Sequence, residues 1–387
     1  MTKLLFYSWG ANNEKTLQKN LIELGYELTV ICHNCVNYTR DVILAQKLIG
    51  IINENHIDGV ISLNYFPIIS MVCDVANVKY YSWVFDCPHF TLLAKTVGLS
   101  CNRIGVFDKH MAEDLQARGV NTVFHLPLAA SFDTFSMAIL KNRINLATDG
   151  DYKYDVSFIG SLYTGEYNYF DKIYSETIPP SVSGYLNKNV GKYIGTPSIS
   201  DIAQKDIEEA AKALEKLGLT LGEDYLYEPI DILMPAVFEK ELTVLERDIL
   251  LRKIAENKDI RFALYTNSKT DIPNYGTCDY SDLMPCIFNA SKINLNITLR
   301  SIHSGVPLRV IDIMASGGFV LSNYQPELPQ MFVENEEIVL FRDIEEALYK
   351  VQYYLEHEEE RIKIAALGAK AAKERLGYKQ QIEKLIQ

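Results

Sequence analysis

The sequence predicts an α/β protein of two lobes, each built on a parallel, doubly wound sheet, and three observations carry that prediction. The chain has 387 residues, more than one hydrophobic core usually serves, so roughly two domains of 150 to 200 residues are expected. Short β-rich apolar runs alternate with helically spaced segments, the pattern of βαβ units. The rhythm breaks once, over 136–152, and then resumes.

Lys3 to Ser8 reads as a first strand, Asn12 to Leu24 as a helix ending at Gly25, and Tyr26 to Cys32 as a second strand. A helix over Asp41 to Asn53, a strand at Gly59 to Leu63, a helix over Pro67 to Val75, and strands at Lys79 to Phe85 and Arg103 to Phe107 continue the alternation. Strands separated by helices predict a parallel sheet. Ser136 to Tyr152 is polar and without a clear period, and the connection between lobes is placed there. Asp155 to Gly160 opens the second half, 201–258 is helical despite Pro229 and Pro235, and strands return at Arg261 to Tyr265, Lys292 to Leu299, Phe319 to Ser322 and Ile338 to Phe341. Ile344 to Gln387 is charged and helical.

Composition removes several classes of function. Hydrophobic residues make up 48% and charged residues 23%, ordinary globular values that argue against extended disorder. A net charge of −12 repels phosphate backbones and anionic lipid, so nucleic acid is a poor partner. Seven scattered cysteines do not form the dense paired framework of small secreted domains, and a cytoplasmic location is expected. The first residues read as a strand and not as a signal peptide, and no apolar run reaches the roughly 18 residues of a membrane span. Cys32-His33-Asn34-Cys35 imitates a metal motif but lacks a second pair to complete a tetrahedral site. No metal site is therefore expected. A G-x-x-x-x-G-K-[ST] loop is also lacking.

The most informative segment is Ser291 to Leu328. A strand runs into the small-residue loop Arg300 to Val306, Pro307 stands where a helix tolerates proline, and Gly317-Gly318 ends that helix. Such a helix start presents free amides and a positive dipole end to an anion, and diphosphate is a natural occupant. Arg309 in the first turn offers a planar fork to phosphate oxygens, and Asp312 one turn on can accept from ribose hydroxyls. The plainer alternative is a structural ion pair between Arg309 and Asp312, and it stands beside the functional one.

This segment, with Phe332, Glu337 to Phe341 and Tyr353-Tyr354-Leu355, resembles the C-terminal half of the CgeB-like (spore maturation protein B-like) glycosyltransferases, GT-B enzymes of the group 1, family 4-like kind. FYSWG at the start, SLNYFP at 62–67, YSWVFDCPH at 81–89 and HLPLA at 125–129 extend the similarity over most of the chain, except about 170–240. The resemblance implies two Rossmann-like domains facing across a cleft: an acceptor domain over 1–140, a nucleotide-sugar donor domain over 153–365, and a terminal helix over 366–387 packing back on the first. Related retaining enzymes carry two glutamates at positions that match Ser304 and Asp312 here. With one carboxylate kept, the stereochemical outcome stays open.

The donor is expected to meet Gly160, Ser161, Tyr265, Thr266, His303, Ser304, Gly305, Arg309 and Asp312, because ligands of such sheets collect at strand C-termini. By the same rule Ser8, Trp9, Gly10, Asn64, Tyr65 and Trp83 are the acceptor wall. Asp86 and His89 are the candidate catalytic groups, an unpaired carboxylate being costly unless a ligand or hydrogen bond compensates it. Against this stands an Asp86 that caps the next helix. The expected activity is metal-independent and cofactor-free transfer from a nucleoside diphosphate sugar, a UDP-sugar by family habit, to a protein or cell-envelope glycan. The rival readings are a GT-B-fold epimerase and a non-catalytic nucleotide-sugar-binding protein.

Overall fold

A computed structural model describes residues 1–146, 152–166 and 168–387. The first lobe runs β1 (Lys3–Ser8), α1 (Glu14–Glu23), β2 (Glu27–Cys32), α2 (Val42–Asn55), β3 (Gly59–Leu63), α3 (Pro67–Ala76), β4 (Lys79–Val84), β5 (Asn102–Val106), α4 (Lys109–Ala117), β6 (Val123–His125) and α5 (Phe132–Leu146). Its strands pair in parallel in the order β2-β1-β3-β4-β5-β6. Leu4 to Tyr7 of β1 and all of β3 are buried, as expected of strands covered by helices on both faces.

The second lobe begins with β7 (Tyr154–Ile159), followed by α6 (Tyr169–Ile173), α7 (Pro180–Asn189), α8 (Gln204–Lys216) and α9 (Ile230–Leu233). A wider turn over Met234–Phe238 leads into α10 (Glu239–Glu256). Pro235 sits in that turn, where the missing N–H of proline cannot complete the regular ladder. Then come β8 (Phe262–Tyr265), α11 (Met284–Asn289), β9 (Ser291–Asn296), α12 (Leu308–Ala315), β10 (Val320–Asn323), α13 (Leu328–Met331), β11 (Val339–Phe341), α14 (Ile344–Glu356), α15 (Glu358–Arg375) and α16 (Tyr378–Ile386). The parallel sheet has the order β11-β10-β9-β7-β8. Two Rossmann-like lobes of this kind define the GT-B fold.

The stretch from Ser136 is not irregular, as its polarity suggests, but continues α5 as far as Leu146. Phe135 and Ala138 are buried while Met137 and Leu140 lie in solvent, which scrambles the apolar period. The end of that stretch, 147–151, lies outside the described residues. The helices α6 to α9 form an insertion with its own core around Tyr185, Leu214, Val237 and Phe238. It reaches the first lobe through Lys95 N–H to Asp224 O (2.9 Å), Leu226 N–H to Leu93 O (2.8 Å) and the Arg118–Asp231 ion pair (2.8 Å).

The last helix, α16, crosses back to the first sheet. Tyr378 meets Trp83 edge-on at 5.7 Å, Ile382 and Leu385 are fully buried, and Arg103 Nε donates to Leu385 O at 2.8 Å.

In each sheet the chain reverses its direction of winding once, between β1 and β3 and between β7 and β9. Clefts at such switch points, beyond the strand C-termini, are where α/β folds bind ligands.

Candidate active site

A cavity of about 260 Å³ opens at the second switch point. Ile159 at the end of β7 with Gly160 and Ser161 after it, and Asn296 at the end of β9 with Ile297 and Thr298 after it, form its floor. Pro307, Leu308 and Arg309 at the start of α12 form one side, and Phe85, Asp86 and Cys87 of the first lobe close it from across the cleft. The amides of Leu308 and Arg309 donate to no protein acceptor among the described residues, so this helix start is available to an anion.

Gly160 lets the chain pass beneath the cavity without a side chain. Its N–H is held by Tyr265 O at 3.0 Å, and a Cβ there would meet the Phe158 ring at 3.4 Å. Ser161 Oγ receives the Tyr163 N–H at 2.9 Å and pairs with Ser268 Oγ at 3.2 Å. This turn is thus fixed before any ligand arrives.

A charged residue of the site was not anticipated from sequence. Arg247 of α10 lines the cavity and is buried. Its guanidinium donates to the carbonyls of Ser161 and Ile297, and it lies between the Phe158 ring at 5.3 Å and the Tyr163 ring at 4.9 Å. No carboxylate pairs with it among the described residues. Burial, with a smaller contribution from Arg309, pulls its pKa below the ordinary arginine value. The sequence did hold a sign: Thr243, Leu250, Leu251 and Ile254 share a helical stripe with Arg247, and all are buried. A charge on an apolar stripe needs a reason.

Arg309 lines the same cavity. Its Nη1 contacts Met284 Sδ at 2.6 Å and Asp312 Oδ2 at 3.3 Å. Asp312 departs from the ribose role. It is 1% exposed, and its other oxygen accepts from Tyr280 OH at 2.9 Å, so both oxygens are spent inside the protein. Burial pushes its pKa up to about 6, against the opposing pull of Arg309 and Tyr280. The structural ion pair therefore describes Asp312, while Arg309 keeps a face toward the cavity.

Of the loop 300–307, Ile302 and Pro307 line this cavity, whereas His303, Ser304 and Gly305 do not. Ser304 Oγ bonds Asp108 Oδ1 at 2.8 Å and Glu327 Oε1 at 2.7 Å, and the amides of His303 and Ser304 reach Asp108 Oδ2 at 2.7 and 3.3 Å. A Cβ on Gly305 would come within 2.9 Å of Asp108 Cα. His303, Ser304 and Gly305 thus seal the seam between lobes, because an acidic cap of α4 gathers their donors. His303 Nε2 meets Glu239 Oε1 at 2.7 Å. Burial opposes its charge, but Glu239 and Asp108 raise its pKa overall. Tyr265 and Thr266 are buried beside the site, with Tyr265 OH on Tyr154 OH at 3.1 Å.

On the first lobe, Asn64 takes a left-handed backbone (φ 63°), which asparagine tolerates better than most residues. Its Oδ1 accepts the Phe85 N–H at 2.9 Å and its Nδ2 donates to Asp86 Oδ2 at 2.6 Å. Asn64 therefore aims Asp86, which caps no helix. The cis Cys87-Pro88 bond follows, and His89 emerges in a neighbouring cavity. Its Nε2 lies against the Tyr65 backbone, 3.1 Å from N and 3.2 Å from O, and burial lowers its pKa despite nearby Asp86.

The rest of the expected acceptor wall is occupied by the protein itself. Ser8 Oγ (2.5 Å) and the amides of Trp9 (2.9 Å) and Gly10 (3.1 Å) all bond the Glu14 carboxylate. Trp9 Nε1 spans the switch point to Leu63 O at 2.8 Å. Tyr65 and Trp83 are fully buried core residues, Trp83 under α16. The CHNC motif is not assembled: Cys32 is exposed, Cys35 is buried with its thiol on Asn37 O at 3.3 Å, and His33 pairs with Asp41 at 2.9 Å. No cluster of metal-ligating side chains occurs among the described residues.

Comparison with known proteins bears on the second lobe and on the fold. Residues 247–387, which hold Arg247, β9, α12 and everything after, match the model of a glycosyl transferase-like family. Among solved structures, HepE of Anabaena in complex with UDP and glucose superposes with a TM-score of 0.53 at 11% identity, covering 100% of this chain and 99% of that one. A glycosyltransferase from Rickettsia africae gives 0.54 at 9% identity over 100% and 97%. Sucrose-phosphate synthase from Thermosynechococcus elongatus gives 0.51 at 12% over 100% and 98%. At these identities the likeness is one of fold. Curated proteins gave no match. No helix among the described residues is long and apolar enough to cross a membrane.

Proposed function

We propose that this chain is a GT-B glycosyltransferase that takes a sugar from a nucleoside diphosphate sugar, a UDP-sugar first, and passes it to a hydroxyl of a glycan or protein acceptor. The observation that carries the reading is the meeting of Arg247, Arg309, the Gly160-Ser161 turn and the open α12 start in one cavity, with Asp86 facing them from the other lobe. Two guanidiniums and free amides suit a diphosphate, whose negative charge grows as the bond to the sugar breaks. The choice of UDP leans on the UDP and glucose seen with Anabaena HepE.

In the step proposed, the acceptor oxygen bonds to the anomeric carbon and the carbon–oxygen bond to the diphosphate breaks. UDP leaves with the electron pair, and Asp86 takes the acceptor proton. Because arginines meet the leaving charge, the transfer needs no divalent ion, and chelator should leave turnover unchanged. Calorimetric titration with UDP tests the site. Arg309→Ala should weaken binding by ~1.5 to 3 kcal/mol, the range of a charge-assisted hydrogen bond. Equal affinity in the two proteins would remove Arg309 from the donor site.

A further inference from the structure

We propose that a second cavity, closed by the helical insertion, holds the acceptor and selects a neutral hydroxylated molecule with an apolar face. The cavity measures about 280 Å³, near the lower end of ligand pockets and suited to a single ring with a small substituent. It lies between the Cys87–Leu93 loop and α4 of the first lobe and Ile230–Pro235 of the insertion. Cys87 borders both this cavity and the one lined by Arg247 and Arg309, so an occupant here sits one residue's width from the donor. The inference rests on the glycosyl-transfer reading for the word acceptor, but not for the existence of a ligand site.

Its chemistry is unlike that of the donor cavity. Phe90, Leu93, Met111, Leu115, Met234 and Pro235 supply apolar wall, which covers the carbon face of a ring. Two buried acceptors in the lining lack partners among the described residues. Glu239 is 1% exposed, with Oε1 on His303 and no hydrogen bond to Oε2, and Ser301 is 6% exposed with an unbonded Oγ. Unmet groups of this kind are costly, and ligand hydroxyls relieve them. The lining carries four carboxylates, Asp108, Asp114, Asp231 and Glu239, and its one arginine, Arg118, is already paired with Asp231 at 2.8 Å and Asp114 at 3.0 Å. An anionic occupant meets a surplus of like charge, offset only in part by Arg118 and by His89, His110 and His303 when protonated.

Saturation-transfer NMR and calorimetry on the full chain test the proposal with phenyl β-glucoside as probe, phenyl phosphate as its anionic counterpart, and UDP titrated in parallel. Phenyl glucoside should bind saturably, with or without UDP, and phenyl phosphate at least about tenfold more weakly. Met234→Trp fills the cavity from the insertion and Leu93→Trp fills it from the first lobe. Each should cut phenyl glucoside affinity by about tenfold or more while UDP affinity stays within about twofold, which also reports that the variant is folded. Absent phenyl glucoside binding, binding undiminished in both folded variants, or equal affinity for phenyl phosphate would overturn the proposal. Phenyl glucoside binding that responds to both tryptophans in a protein that ignores UDP would retain the cavity and sink the donor reading instead.

Discussion

The two switch points of this molecule share a topology but not a chemistry. In the first lobe the loop after β1 presents the Ser8 hydroxyl and two amides, and the Glu14 carboxylate occupies them while the Trp9 indole closes the gap to β3. In the second, the corresponding turn after β7 faces two arginines and the open end of α12. A nest of donors attracts an anion wherever it forms, and here one nest has been filled from within the chain. Under the proposed function, this difference directs the nucleotide to one lobe and leaves the other to present Asp86.

The largest expected effect breaks this division if it is wrong. Asp86→Asn should reduce turnover 10² to 10⁴-fold, roughly the contribution of a positioned acid or base, with UDP affinity unchanged in calorimetry. A parallel loss of affinity would mean that the first lobe binds nucleotide after all. Next in size, Arg247→Met should cost about 3 kcal/mol of UDP binding, since it removes a charge-assisted donor. It should also lower the melting temperature, because the Ser161 and Ile297 carbonyls lose their partner. UDP binding equal to that of the parent would take Arg247 out of the donor site. Glu14→Gln should cost ~1 to 2 kcal/mol of stability, by weakening hydrogen bonds to a charged acceptor, and leave UDP affinity untouched. Nucleotide binding that responds to this change would show the first nest to be functional.

The smallest effect lies in the response of buried carboxyls to acid. Burial pushes Glu241 and Glu246 of α10 up to about 7, the latter against the pull of Arg300, and Asp312 of α12 up to about 6. Their folded forms hold protons that the unfolded chain releases near 4 to 4.5, so this contribution is complete below that range and is lost as pH rises toward 7. Asp41 of the first lobe is shifted the other way, chiefly by the Leu44 amide and then by His33. Its contribution is complete above about 4 and is lost only in stronger acid. Melting temperature followed from pH 5 to 7.5 should therefore fall, and Glu241→Gln should flatten the slope. A slope unchanged in that variant would reassign the titration to other groups.

Much of this architecture was legible in the chain. β1, β3 and the helix from Pro67 stand out because buried parallel strands are uniform apolar runs and proline marks a helix start. The short β6 and the half-exposed α5 do not, since neither keeps an apolar period. At the site, Gly160 and Arg309 could be picked out because backbone topology fixes what lies beyond a strand end. Side-chain pairing over long separations is not written locally. Ser304 is claimed by Asp108 and Glu327, and Asp312 by Tyr280, 32 positions earlier. Arg247 was hidden for a related reason: its partners are carbonyls just beyond β7 and β9, on either side of it in sequence.

The return of α16 to the first sheet bears on how the molecule is made. Trp83 is made well before the aromatic ring that covers it, which belongs to Tyr378, 295 positions later in the chain. On the ribosome the indole therefore stays uncovered until that distant stretch has been made, and the amino-terminal lobe cannot complete its own packing from its own residues.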